Sequence, residues 1–438
     1  RAAADWRWTR ADGMPRSAAP SPTAPMQENR RAVWSWAFID WANSAFAIVV
    51  MTAFFPIFFS DYWAEAPGMS PERKTAYLGY ANTISSVVIG LLAPVLGSIA
   101  DQGNSKRRFL LAFTLLGAAA TAALPLAAKG QYLLAATLYA VAALGFAGNN
   151  LFTDALLTEV AEPRHYDRVS ARGYALGYLG SGALFVGCTL AVKDPAKFGL
   201  AGPVAAVNAA FLVTAVWWLV FTVPALLWVR ETTATPPAGA GSVLARGFRQ
   251  LAGTFRELRG DRRMLYFLGA YILYIDGVNT VIKMAVVFGK AIGLDSAGML
   301  LALIVTQFVA FPAAIVFGRI GERFGAQRGI LAGIAVYAGV CLFATRMDSP
   351  REFFAMAVVI GLVQGGVQSL SRSYFARLIP PEKGGEYFGF YNLLGRFAAV
   401  LGPTLMGVTA MLIDARTSIL ALLVLFAAGG WLLSRVRE

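Results

Sequence analysis

Two short stretches place carboxylates where carboxylates are costly. Residues 40–44 read DWANS and residues 276–280 read DGVNT, each an acid followed by an asparagine and a small hydroxyl residue, and each inside a long apolar run. Asp40 with Asn43, and Asp276 with Asn279, have the spacing that shares one helix face. A lone charge at membrane depth costs about 3 kcal/mol on insertion scales unless it is protonated, paired or facing water. Two chemistries fit this pattern. The aspartates take up and release a proton while a solute moves, or each forms an Asp–Asn cluster that bonds neighbouring helices or caps a break where Gly277 follows.

Other polar residues recur at helical spacing in apolar surroundings. Lys283 lies almost two turns beyond Asp276, on the same face. There it meets a carboxylate of another helix or an anionic group of a solute, or it snorkels to the outer interface. Gln364, Gln368 and Arg372 follow at four-residue intervals, as do Asn150 and Asp154. If their helices are equivalent, Asp154 and Arg372 stand at matching positions with opposite charge, which suits either an ion pair gating the cytoplasmic end or polar packing between helices. Gln307, Arg172, Asn392 and Arg396 complete the polar set within the runs. Cys188 and Cys341 lie in apolar segments without metal-ligand spacing and read as buried structural thiols. His165, the single histidine, falls in a loop. There is no Walker sequence, metal cluster or nucleophile paired with a base, so the residues do not support an enzyme and call for no cofactor. An ion gradient or downhill flow is the expected energy source.

The elements that must position these groups are membrane helices. The 438 residues are 57% hydrophobic and 14% charged, beyond the range of soluble domains. Apolar runs fall at 33–60, 74–100, 109–127, 132–154, 171–192, 205–229, 264–290, 297–320, 329–346, 352–374, 387–411 and 417–434. Each is of the order of the 20 residues needed to cross a ~30 Å hydrocarbon core, and no alternating strands suggest a barrel. With the N-terminus in the cytoplasm, roughly two dozen Lys and Arg fall on the cytoplasmic side and about nine outside. The net charge of +13 is thus a matter of topology, and nucleic acid is not expected as a partner. Trp34, Trp36, Trp217 and Trp218 read as interfacial or lipid-facing anchors.

The runs are organised as a repeat. GSIADQGNSKRR (97–108) follows the second run and GRIGERFGAQRG (318–329) the eighth; Gly97, Asp101 and Arg107 align with Gly318, Glu322 and Arg328 at one constant offset. A parallel repeat of half the chain is how two-bundle secondary transporters are built. The expected domains are a disordered leader over 1–32, a six-helix bundle over 33–229, a cytoplasmic connector over 230–263, a second bundle over 264–434 and a tail over 435–438. Met26, just ahead of ENRRAVW, is a plausible natural start. In the connector, Val243, Leu244, Phe248, Leu251, Phe255 and Leu258 form an apolar stripe with Arg246, Arg249, Arg256 and Arg259 around it. That suits a helix lying on an anionic leaflet, or a plain connector with a solvated basic face.

The repeated loops resemble the signature of the major facilitator superfamily, in which the glycine permits close packing and the acid meets an arginine or a helix N-terminus across the seam of the bundles. Gln102 stands where the superfamily usually has a basic residue. IDWANSAFAIVVMTAFFPIFF (39–59), YILYIDGVNTVI (271–282), GLVQGGVQSLSRSYFARLIP (361–380) and EYFGFYNLLGRFAAVLGP (386–403) are similar to the Unknown Major Facilitator family of bacterial permeases and fungal vacuole effluxers. Lys283 departs from the small or apolar residue expected there. The resemblance implies an all-α fold of two pseudo-symmetric six-helix bundles, with helices one, four, seven and ten lining a central cavity. It also implies alternating access for a small solute, and for the fungal relatives, export of neutral amino acids.

The expected partners are the lipid bilayer, a small solute and protons. The expected state is a monomer in a bacterial inner membrane with both termini cytoplasmic. A scaffold of the same fold that binds a protein or pigment, and an exporter of amphiphilic drugs or lipids, are the alternatives.

Overall fold

The computed structural model describes residues 29–65, 67–231, 253–291, 293, 295–398, 401–414 and 417–436. Twelve helices in it are long and apolar enough to span a membrane. In chain order they are α1 (Arg30–Trp63), α2 (Pro71–Gly103), α3 (Lys106–Leu126), α4 (Tyr132–Val160), α5 (Tyr166–Lys193) and α6 (Pro203–Trp228). The second set is α7 (Arg262–Ala291), α8 (Ser296–Phe324), α9 (Ala326–Ala344), α10 (Pro350–Leu378), α11 (described as Gly384–Ala398 and Leu401–Leu412) and α12 (Leu422–Ser434).

Several helices begin ahead of the apolar runs because polar caps extend them. The Ser70 side chain accepts from Arg73 N–H with Pro71 in the first turn, Asp295 accepts from Gly298 N–H, and Ser349 forms a capping box with Glu352. Such caps satisfy amide groups that would otherwise be left without partners at the helix start.

The packing repeats with a period of six helices. Helix α1 packs on α5 and α6 as α7 packs on α11 and α12. Pairs α2–α4, α3–α4 and α3–α6 have their counterparts in α8–α10, α9–α10 and α9–α12. The contacts between halves exchange under the same operation: α5–α8 with α2–α11, and α5–α10 with α4–α11. The loops that carry the sequence repeat both turn at a positive φ, although ψ differs, 47° at Asn104 and 141° at Gly325. Asn104, at the end of α2, has φ 49°, and Gly325, at the end of α8, has φ 91°; the offset that aligns Gly97 with Gly318 also aligns these two.

Close approach at the seams depends on glycine. A Cβ on Gly97 would fall on the Gly385 carbonyl of α11, and one on Gly318 would meet Ala171 Cβ of α5 at 2.5 Å. Both seams therefore close only with small residues at these points.

Four of the six apolar connector positions, with Arg246 and Arg249, lie outside the described residues. Residues 253–260 form a short helix on which Phe255 is exposed, Leu258 is buried, and Arg256 and Arg259 face outward. The tryptophan expectation needs correction. Trp36 and Trp218 are fully buried within the bundle, and Trp217 donates to the Trp41 carbonyl at 3.1 Å. Trp36 donates to the Thr153 carbonyl at 2.8 Å, while the buried Trp218 N–H has no partner among the described residues; the aromatic bulk of both serves packing, and Trp34 is exposed. Cys188 and Cys341 are buried free thiols.

Candidate functional site

A cavity of about 450 Å³ lies between the halves. Helices α1, α4, α7 and α10 line it as expected, and α5, α8 and α11 contribute as well. The reason α5 takes part lies in its glycines. Cβ atoms on Gly173, Gly177 and Gly180 would collide with Asp40, Ser44 and Trp41 of α1. Their absence lets α5 press against α1 while Tyr174, Tyr178 and Ser181 turn into the cavity.

The cavity floor is built around Arg372 of α10, whose guanidinium enters the other half. Its Nη2 lies 2.9 Å from Asp40 Oδ2 and its Nη1 lies 3.3 Å from Asp154 Oδ1. Nε donates to Ser170 Oγ at 2.9 Å, and Nη2 donates to the Ser170 carbonyl at 3.0 Å. The Tyr174 ring at 4.4 Å and the Trp36 ring at 4.7 Å complete the surroundings. Asn392 of α11 donates to Asp154 Oδ2 at 3.1 Å, adding a second residue from the C-terminal half. Two carboxylates thus share one guanidinium that is 2% exposed. A buried charge is tolerable only with such partners.

Above this floor the walls carry amides and hydroxyls. Asn43 donates to Asn149 and Asn150, each at 2.8 Å. Tyr178 donates to Gln368 at 3.0 Å and Gln307 to Ser181 at 3.4 Å, both across the seam. Asn279 and Gln364 also face the cavity, and its upper part is apolar, with Ile48, Ile282, Met299, Phe353 and Met356. Here α1 widens to a π-helical form over Phe46–Phe54, with Thr52 Oγ1 bonded to the Ala47 carbonyl five residues back at 2.8 Å. Such widening is frequent at functional sites. Thr52 is exposed and lines the cavity, so the cavity opens at the end away from the repeated loops.

Asp276 departs from the expectation of two equivalent cavity-facing acids. It is fully buried, accepts from Gly402 N–H and lies 3.5 Å from Thr280 Oγ1. The cavity stripe of α7 runs through Tyr271, Ile275, Asn279 and Ile282. Asp276 sits about 100° from Ile275 around the helix and meets α11 instead. The Asp276–Asn279 pair is therefore split between two environments. Lys283 belongs to α7 by its backbone, and its side chain lies outside the described residues.

At the loop end, Asp101 accepts from Gly385 N–H at 2.9 Å and Glu386 N–H at 2.8 Å, capping α11 across the seam. A carboxylate is favoured at a helix N-terminus. Its cation is not Arg107, which donates to the Val229 carbonyl at 2.6 Å, but Lys106, at 3.1 Å from Asp101 and 2.6 Å from Glu159. In the second copy Glu322 meets Arg168 of α5 at 3.5 Å, and Arg328 is exposed. Sequence reasoning missed Asp167, which joins Ser373 and Arg377 of α10, each at 2.5 Å. Its signal was faint: Arg377 stands only five residues past Arg372 at the end of an apolar run.

Residues 28–438 match the family described as "Vacuole effluxer Atg22 like". The chain belongs to that family. It is 39% identical over 406 residues to the MFS-type transporter YxiO of Bacillus subtilis, covering 92% of this chain and 94% of that one. It is 24% identical to autophagy-related protein 22 of Coccidioides immitis, over 86% of this chain and 82% of the relative. Among solved structures, the human organic anion transporter MFSD10 superposes with TM-score 0.70 at 16% identity, covering 93% of this chain and all of that one. The transporter FucP, in an outward conformation, gives 0.67 at 11%, over 93% of this chain and 98% of its own. At those identities the structural likeness establishes the fold. Family and fold together make the chain an integral membrane transporter of the MFS type rather than an enzyme.

Proposed function

We propose that the protein moves a small, amino-acid-like solute out of a bacterial cell through the inner membrane by alternating access, coupled to protons through Asp40 and Asp154. One observation carries this reading: two carboxylates share a single guanidinium at the floor of an open cavity. The excess negative charge calls for a proton or a cationic group of the solute. Exchange of one for the other is the physical content of coupling. A polar floor beneath an apolar upper wall suits a solute with a charged end and an apolar side chain. An even number of crossings puts both ends of the chain on one side, and the arginine-rich loops favour the cytoplasm for that side.

The test uses purified protein in proteoliposomes with radiolabelled leucine, comparing exchange between equal pools with accumulation driven by a pH gradient. Asp40→Asn and Asp154→Asn are expected to keep exchange and to lose gradient-driven accumulation about tenfold or more. Full accumulation in both variants removes the coupling role. Arg372→Gln separates transporter from scaffold, because a scaffold tolerates its loss without change in any solute flux.

A further inference from the structure

Among the charged residues set deep in the spans, Arg396 stands apart. It lies twelve residues into α11, about 18 Å along the helix, and so near the middle of the bilayer. Its side chain is partly buried, and it makes no hydrogen bond and no ion pair among the described residues. Arg372 is saturated by Asp40 and Asp154, and Asp276 is engaged by Gly402 and Thr280. No carboxylate described in the spans is therefore paired with Arg396. An uncompensated guanidinium at that depth is costly unless water or an anion reaches it.

Its position says which anion can do so. Arg396 is one turn beyond Asn392, which lines the cavity and bonds Asp154. Close to the preceding Gly395 is Tyr271, a cavity wall that stacks on Tyr391 and whose hydroxyl lies 3.0 Å from where a Cβ on Gly395 would stand. Arg396 is not itself one of the residues lining the cavity; it stands next to residues that are, about 6 Å along the helix beyond Asn392 of the acid-rich floor.

We propose that Arg396 binds the carboxylate of the transported solute, whose opposite end faces Asp40 and Asp154. This rests on the reading of the cavity as a solute site. A guanidinium suits the role because its planar fork matches a carboxylate in two parallel hydrogen bonds.

The test is equilibrium binding to the full chain in nanodiscs, with four probes of similar branched skeleton: leucine, 4-methylpentanoate, leucinamide and 3-methylbutylamine. Wild type is expected to bind leucine and 4-methylpentanoate about tenfold more tightly than Arg396→Gln does, with the other two changing less than about twofold. Arg396→Lys is expected to restore part of the carboxylate affinity, and it serves if the glutamine variant does not fold. Equal losses for all four probes, or unchanged carboxylate affinity in either variant, overturn the assignment. Wild type that binds only the two probes lacking a carboxylate also overturns it while leaving the cavity a solute site. Wild type that binds none removes both the assignment and the amino-acid-like reading.

Discussion

At the scale of single residues, the centre of the molecule is one guanidinium from the C-terminal half held entirely by the N-terminal half. The Trp36 and Tyr174 rings flank Arg372 while Asp40, Asp154 and Ser170 take its hydrogen atoms. Removing one partner of such a buried pair destabilises by about 3–5 kcal/mol. Arg372→Met is thus expected to lower the melting temperature clearly, whereas Arg328→Met, at an exposed site, leaves it nearly unchanged; a thermal denaturation series checks both. The ring contribution is separable. Trp36→Leu should cost about 1–2 kcal/mol more in wild type than in an Arg372→Gln background, the difference being the cation–π part. Sequence spacing was enough to suggest that Asp154 and Arg372 face each other. It could not show that Asp40 completes the site while Asp276 is turned away, because one step along a helix rotates a side chain by about 100°, and the repeat leaves each helix's rotation undetermined. Lys106 was hidden for a different reason: the usual basic position next to the acid holds Gln102, and the compensating lysine comes from the start of the next helix.

At the scale of elements, the seam is closed by helix-end chemistry and fastened by the connector. Glu231 accepts from Lys106 and Arg107 N–H at 2.8 and 2.9 Å, and Glu257 binds Lys383 at 2.8 Å and Tyr387 at 3.0 Å. Glu231 thus caps the start of α3 within the N-terminal half while Glu257 binds the start of α11, so the described ends of the connector sit on either side of the Asp101–α11 joint. The Lys383 hydrogen bond, with help from Tyr387, holds the Glu257 carboxyl below its ordinary value of 4.5. A lowered carboxylate pKa means that the contact is complete above the unfolded value and is lost as the pH falls through the lower, folded one. Glu257→Gln should therefore weaken the grip at neutral pH and remove its loss on acidification, which spin-label distances between 257 and 383 neighbours would report. The twelve helices and their repeat were legible because hydropathy and the Gly–Asp–Arg spacing are local. The pairing of connector ends with helix starts was not, since it joins residues distant in sequence through single carboxylates.

At the scale of the whole molecule, the halves touch along two equivalent seams at the loop end and separate toward the opposite end, where Thr52 is exposed. The structure is thus one of the two states that alternating access requires. Its closed end is held by Asp101 on α11, by Asp167 with Arg377, and by Ser170 Oγ donating to the Ser369 carbonyl at 2.8 Å. Opening that end must separate α5 from α10, so a covalent bond there should arrest the cycle. Ser170→Cys with Ser369→Cys is expected to stop solute flux on mild oxidation and recover it with a reductant, while the flux of each single variant, whatever its level, does not change on oxidation; the buried Cys188 and Cys341 leave little background. A larger residue in place of Gly97 tests the same motion from the other seam. Gly97→Val would strike the α11 backbone, and it should favour the state open at the loop end, raising the labelling of a thiol introduced at Ser369 in proportion. If that thiol stays protected while flux remains normal, the two seams do not open together and the halves do not rock as units.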